Sequence, residues 1–155
     1  MYRDLFFVCL ILLFTGCGQR QLEDELIGKW HAEEVPLTVR TEPRFMKFEF
    51  FQGSARFDIT IDSAYQLSGT IGGSTIEQGS VSSNWLLPTD MTGVSYTIKI
   101  ETTGAIFPGD PLPEKEMELW VTALDGDLHC ELRYTSGSAQ FPMADLQLKK
   151  QPIPK

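Results

Sequence analysis

The chain has 155 residues, 42% of them hydrophobic, and a formal net charge of −8, which suits one domain burying roughly 65–70% of its unfolded surface. Its acids are spread along the chain, and this balance excludes the basic patch a nucleic-acid partner would need and charge-driven adhesion to anionic lipid. Acidity of this kind serves mainly to keep a domain soluble.

The first residues carry Arg3 and then an uninterrupted apolar run from Leu5 to Phe14. A positive start followed by a short apolar core is the pattern of a secretory signal. Ten residues at ~1.5 Å each would span about 15 Å, half the hydrocarbon thickness, so the run is too short to cross a bilayer. The next five residues, Leu13-Phe14-Thr15-Gly16-Cys17, resemble the lipobox of bacterial lipoproteins. The resemblance implies removal of residues 1–16 as a signal peptide and lipidation of Cys17, with a diacylglyceryl group on its sulfur. Two or more acyl chains, at ~0.8 kcal/mol per buried methylene, anchor a protein stably, so the implied partner is a membrane. Gly18 stands where the inner-membrane retention signal would place Asp. The implied address is the cell envelope, lipid-anchored, on the periplasmic face of the outer membrane if the source is a diderm. The alternative is an ordinary secreted protein cleaved after Gly16.

Of the three cysteines, Cys9 leaves with the signal and Cys17 takes the lipid, which isolates Cys130. That count excludes an intramolecular disulfide and a pair of metal-binding thiols. Residues 17–25 read as lipidated cysteine and polar tether, reaching less than about 30 Å. A single domain is expected over residues 26–151.

From Leu26 onward the pattern is alternation, the sign of half-buried strands. A first strand covers Ile27 to Val35. Met46, Phe48 and Phe50 alternate with Lys47 and Glu49, and Phe57, Ile59 and Ile61 alternate with Arg56, Asp58, Thr60 and Asp62. Gly72-Gly73 reads as a tight turn between strands at Ala64 to Ile71 and Ser74 to Ser82, with Gly69 and Gly79 suggesting bulges. Val94, Tyr96, Ile98 and Ile100 form the apolar side of the next strand. Asp125-Gly126 is a two-residue hairpin signal; pairing Leu124 with Asp127 sets Val121 against Cys130, Leu119 against Leu132 and Met117 against Tyr134 on one face. On the other face Thr122 meets His129, Trp120 meets Glu131 and Glu118 meets Arg133. This register places Cys130 in the core. A last strand covers about Met143 to Lys150, with Ala144, Leu146 and Leu148 inward. The expectation is an all-β domain of eight or nine antiparallel strands, most simply an up-and-down barrel, with a β-sandwich as the alternative. Residues 85–93 and 103–114 hold prolines that exclude them from central strands.

The first strand opens Leu26-Ile27-Gly28-Lys29-Trp30, which is similar to the Gly-x-Trp start of lipocalin-like (calycin) barrels. The resemblance implies that Gly28 and Trp30 close one end of the barrel. It also calls for a basic partner for Trp30, for which Arg133 is the candidate; no C-terminal helix is found.

No pattern for catalysis, metal or cofactor emerges. The two histidines, His31 and His129, lie on different strands, and no His-x-x-x-His or Gly-x-Ser-x-Gly occurs. Two functional expectations remain. In the first, the barrel holds a small apolar ligand, with Trp85, Leu86, Ile106 and Phe107 near its mouth and Tyr65 or Tyr96 facing the cavity. In the second, the domain docks another envelope protein, or inhibits an envelope enzyme, through exposed Trp120 and Phe51 on polar strand faces.

Overall fold

The computed structural model describes residues 24–44, 47–84, 95–112, 114–136 and 139–152. Residues 1–23, including the lipobox-like segment and Cys17, lie outside them, as do Met46 and residues 85–94. The described residues form eight antiparallel strands: β1 (Gly28–Arg44), β2 (Lys47–Ile61), β3 (Leu67–Ile71), β4 (Ser74–Asn84), β5 (Ser95–Thr103), β6 (Glu114–Leu124), β7 (Asp127–Ser136) and β8 (Ala139–Lys150). Each pairs with its sequence neighbour and β8 closes on β1, giving an up-and-down barrel. The domain is all-β, and the sandwich alternative falls.

Inward side chains fill the barrel. Trp30, Phe57, Ile59, Ile61, Ile98 and Leu119, each at most 2% exposed, belong to one apolar core with Leu132 and Leu148. The expected faces hold for β5, where Tyr96, Ile98 and Ile100 are buried, and for β8, where Leu146 and Leu148 are buried and Ala144 packs partly buried beside them.

Among the described residues there are eight strands, because residues 47–61 form one strand, paired with β3 from Phe57 to Ile61 and with β1 along its length across two register shifts. Side chains alternate strictly along such a strand. Burial of Ala55, Phe57, Ile59 and Ile61 therefore sends Phe50 outward, where it is 63% exposed. Phe51 takes the inward parity and packs half-buried against the core, correcting its expected exposure.

The first strand runs nine residues beyond Val35 to Arg44 because a bulge lies between Ala32 and Val35. Glu34 there adopts φ 46°. The extra residue switches the inward set from Trp30 and Ala32 to Val35, Leu37 and Val39.

The β6–β7 register holds from Met117–Tyr134 to Val121–Cys130, then slips by one. A bulge leaves Ala123 opposite His129 and Leu124 opposite Leu128, so the turn spans three residues rather than two. Cys130 is buried in the core, and burial pushes its thiol up to about 12. The β3–β4 turn at Gly72-Gly73 is as expected, with Ile71 opposite Ser74. Residues 62–66 form a turn, so β3 begins at Leu67 rather than Ala64. Neither Gly69 nor Gly79 is bulged; the β4 irregularity falls between Ile76 and Gln78.

Candidate functional site

The barrel's two ends are closed by different chemistry. At one end residues 24–26 form a helical turn rather than a free tether, with Ile27 N–H donating to the Asp24 carbonyl at 3.2 Å. The turn drops Leu26, fully buried, into the barrel end. Beside it the Trp30 indole N–H donates to the Leu26 carbonyl at 2.8 Å. The Lys150 ammonium lies 5.2 Å from the centre of the Trp30 ring and donates to the Glu25 carbonyl at 2.8 Å. Gly28 permits this approach, since a Cβ there would crowd the Lys150 side chain. Tyr65, at φ 58° in the turn before β3, donates to Asp24 Oδ1 at 3.3 Å. It belongs to this closure.

The basic partner of Trp30 is therefore Lys150 and not Arg133. Arg133 lies on the outer face, 3.9 Å above the Trp120 ring, and is fixed there by two bonds to Glu131 at 2.9 and 3.1 Å. Trp120, 38% exposed, in turn donates to Glu118 at 2.8 Å.

The opposite end is stoppered by residues 104–112, which join β5 to β6. They seat Ile106 and Phe107, 2% and 3% exposed, inside the mouth. The floor of the seat is Gly53 on β2, where a Cβ would overlap the Phe107 ring, and Gly72 lies against the Ile106 carbonyl. Glycine inside a strand weakens it and marks a close approach by another group. Here that group is an aromatic side chain from a loop. Sequence reasoning places Ile106 and Phe107 around the mouth; the structure puts them in it. Tyr96 is buried with the core on β5, at 5% exposure. Trp85 and Leu86 lie outside the described residues. The strand ends flanking them, Asn84 and Ser95, belong to the end of β5 opposite the stopper.

One carboxylate holds the stopper. Asp110 Oδ2 accepts the Ile106 N–H at 2.9 Å, and Oδ1 accepts the Leu112 N–H at 3.0 Å. Lys115, on β6, donates its ammonium to Asp110 Oδ2 and to the Leu112 carbonyl. The two side chains are 0% and 1% exposed. A buried ion pair is seldom the most stabilising filling for a core site, but removing either partner is costly. Sequence reasoning misses this pair because Asp110, set among prolines, reads as an ordinary solvated loop acid.

Beside the pair lies a cleft of about 470 Å³, lined in part by Glu77, Glu101, Thr102, Thr103, Lys115 and Glu116. Thr102 sits directly across from Lys115 in the β5–β6 ladder. Its hydroxyl is buried without a hydrogen-bond partner among the described residues.

Among the described residues no group of three or more His, Cys, Asp or Glu side chains is placed to hold a metal. His31 Nδ1 lies 2.7 Å from Asp58, and Arg56 Nε also reaches Asp58 at 2.7 Å, forming an ionic cluster on the outer β1–β2 face.

Fold and site thus define an eight-stranded up-and-down barrel, plugged at one end by its own N-terminal turn and stoppered at the other by a loop. Compared with known proteins, the chain matches no family model, no curated protein and no solved structure.

Proposed function

We propose that the chain is a lipid-anchored protein of the bacterial envelope whose lipocalin-like barrel takes up a small apolar molecule at its stoppered mouth. The anchor rests on Leu13 to Cys17, with signal-like residues 1–16 before it. The ligand reading rests on one observation: Ile106 and Phe107 occupy the mouth as loop residues over a glycine floor, outside any strand ladder. A space shaped for apolar groups and filled by a loop rather than a strand suits a ligand that takes the loop's place. The described interior beneath is packed with side chains, so the mouth rather than the barrel centre is the place for it.

Two measurements test the two halves. Mass spectrometry of the N-terminal peptide from a bacterial host should find a diacylglyceryl mass on Cys17, lost in Cys17→Ser; an unmodified residue 17 would end the anchor reading. Mass spectrometry of small molecules co-purifying with the chain, and lost on Gly53→Leu, tests the mouth.

A second reading is favoured by Trp120. Its ring is exposed yet fixed by Arg133, Glu118 and Glu131, and held Trp–Arg pairs are typical anchors of protein interfaces. Co-purification of an envelope protein that is lost in Trp120→Ala would favour docking over ligand uptake.

A further inference from the structure

We propose that β2 carries an open pairing edge from Lys47 to Gln52, and that its occupant is the same edge of a second copy of this chain. The direction of the edge follows from one contact. Arg40 turns its N–H and C=O to Tyr134, away from β2, so Arg40 and its ladder partner Phe50 exchange no backbone bonds. Such positions alternate with bonded ones along an antiparallel pair, so Phe50 and Gln52 both direct their backbone groups away from β1. On that side, among the described residues, β2 pairs with β3 from Phe57 to Ile61 alone. An unpaired row of donors and acceptors is a template for another strand. Phe50, which stands in this row, is 63% exposed.

The seam between β1 and β8 is protected, and this edge is not. Along the seam β1 carries Pro36 and the bulge at Glu34, and β8 carries Pro142; prolines and bulges are devices that blunt an edge. Residues 47–52 hold no proline, and the register shift near them places its extra residue on β1 rather than β2. Charge then selects the occupant. Antiparallel pairing about a twofold axis sets an edge against itself, and edge-facing residues must meet edge-facing residues, so even-numbered positions pair with even-numbered ones. With Phe48 opposite Phe48 of the second copy, Lys47 of each chain stands opposite Glu49 of the other, a favourable cross-strand pair made twice. One step either way sets Lys47 against Lys47 or Glu49 against Glu49, which is unfavourable. The favoured register also puts Phe50 on the same sheet face as Phe48 of the other chain and diagonal to it, within the reach of aromatic residues.

Disulfide trapping on the purified full chain tests the register, with the parent chain, which keeps Cys17 and Cys130, as the blank. On mild oxidation Phe48→Cys is expected to give a product of two chains joined through residue 48, because this position alone pairs with itself. Gln52→Cys lies on the same edge but opposite Arg44 of the other chain, and is expected to be trapped at least about tenfold less. Adding Glu49→Lys to Phe48→Cys makes both charge pairs repulsive and should lower the trapped fraction about tenfold; adding Lys47→Glu as well should restore it. If Phe48→Cys fails to fold, an equal mixture of Lys47→Cys and Glu49→Cys reads the same pairing, since the register sets these positions opposite each other. Equal trapping at residues 48 and 52, or trapping indifferent to the charge exchange, overturns the proposal. No product at residue 48 and none from the mixture also overturns it. A product joining residue 48 to a co-purifying protein of another sequence overturns the second copy as occupant and shows an edge that takes a foreign strand.

Discussion

The hydroxyl of Tyr134 on β7 grips both backbone groups of Arg40 on β1, donating to its carbonyl and accepting its N–H at 2.9 Å. These strands are not neighbours, since β8 lies between them. Among the described residues, β8 pairs with β1 at Trp30–Lys150 and His31–Lys149 alone. Above those pairs the seam is joined by side chains: Tyr134 reaches Arg40, and the Arg40 guanidinium lies 4.3 Å over the Phe141 ring of β8. Tyr134→Phe keeps the packing and removes the bridge, leaving buried backbone groups poorly paired. The expected cost is about 1–3 kcal/mol, read from urea unfolding, with exchange rising at Arg40 ahead of the other strands.

The plugged end predicts a different hierarchy. Trp30→Ala removes the largest buried side chain among the described residues and should cost about 3–5 kcal/mol. Lys150→Met keeps much of the aliphatic cover but loses the cation over the ring and the bond to the Glu25 carbonyl, for about 1 kcal/mol. Arg133→Met is expected to leave Trp30 fluorescence unchanged, because Arg133 stacks on Trp120 instead. A Trp30 emission shift in Arg133→Met would contradict this arrangement.

Alkaline pH is expected to destabilise the barrel through its buried acids. Burial raises the Cys130 thiol to about 12, while an unfolded cysteine ionises near ~8.5. The folded value is the higher one, so this contribution is complete below ~8.5 and is lost as pH rises toward 12. Burial likewise raises Tyr134, offset in part by its bond to Arg40, and adds a second loss above ~10. At pH 8 Cys130 should react with a thiol reagent only at the rate of unfolding. Fast labelling of the folded chain would show that the thiol is accessible.

Acid should act at the outer β1–β2 face. Partial desolvation pushes Asp58 up, but hydrogen bonds from Arg56 and His31 and their charges outweigh it and leave the carboxyl below the usual range. A depressed value gives stability that is present above the unfolded value of ~3.9 and lost as pH falls through the folded one. The group is 40% exposed, so solvent screening keeps the effect small. Asp58→Asn should lower the urea midpoint slightly at every pH above about 4 and so flatten its fall below that pH, leaving the alkaline loss otherwise unchanged.

The barrel is legible in the sequence where both faces of a hairpin constrain one register. From Met117 to Val121 the apolar partners and the polar partners fall into place together, which buries Cys130 correctly. Legibility fails where parity changes inside a strand. Nothing in Glu33-Glu34 announces a bulge, so the sequence reading ends the first strand at Val35, and Phe50 is assigned the wrong face because β2 takes its parity from Phe57 and Ile59. Gly28 and Trp30 are readable as an end closure, but Lys150 comes from the far end of the domain and only the fold brings it near. The mouth is legible only in part. Ile106 and Phe107 stand out as apolar residues in a proline-rich loop, while the Asp110–Lys115 pair needs a third dimension to become visible.

The Glu33-Glu34 irregularity also sets what kind of change β1 can survive. Substituting either exposed glutamate alters one side chain on the outside. Deleting Glu34 would leave two steps from Ala32 to Val35 opposite the two from Phe57 to Ala55, so the bulge would vanish while Val35, Leu37 and Val39 kept their inward face. The inward frame of β1 is therefore set by its pairing with β2, and the bulge takes up the one residue that would otherwise put the two halves of the strand out of step.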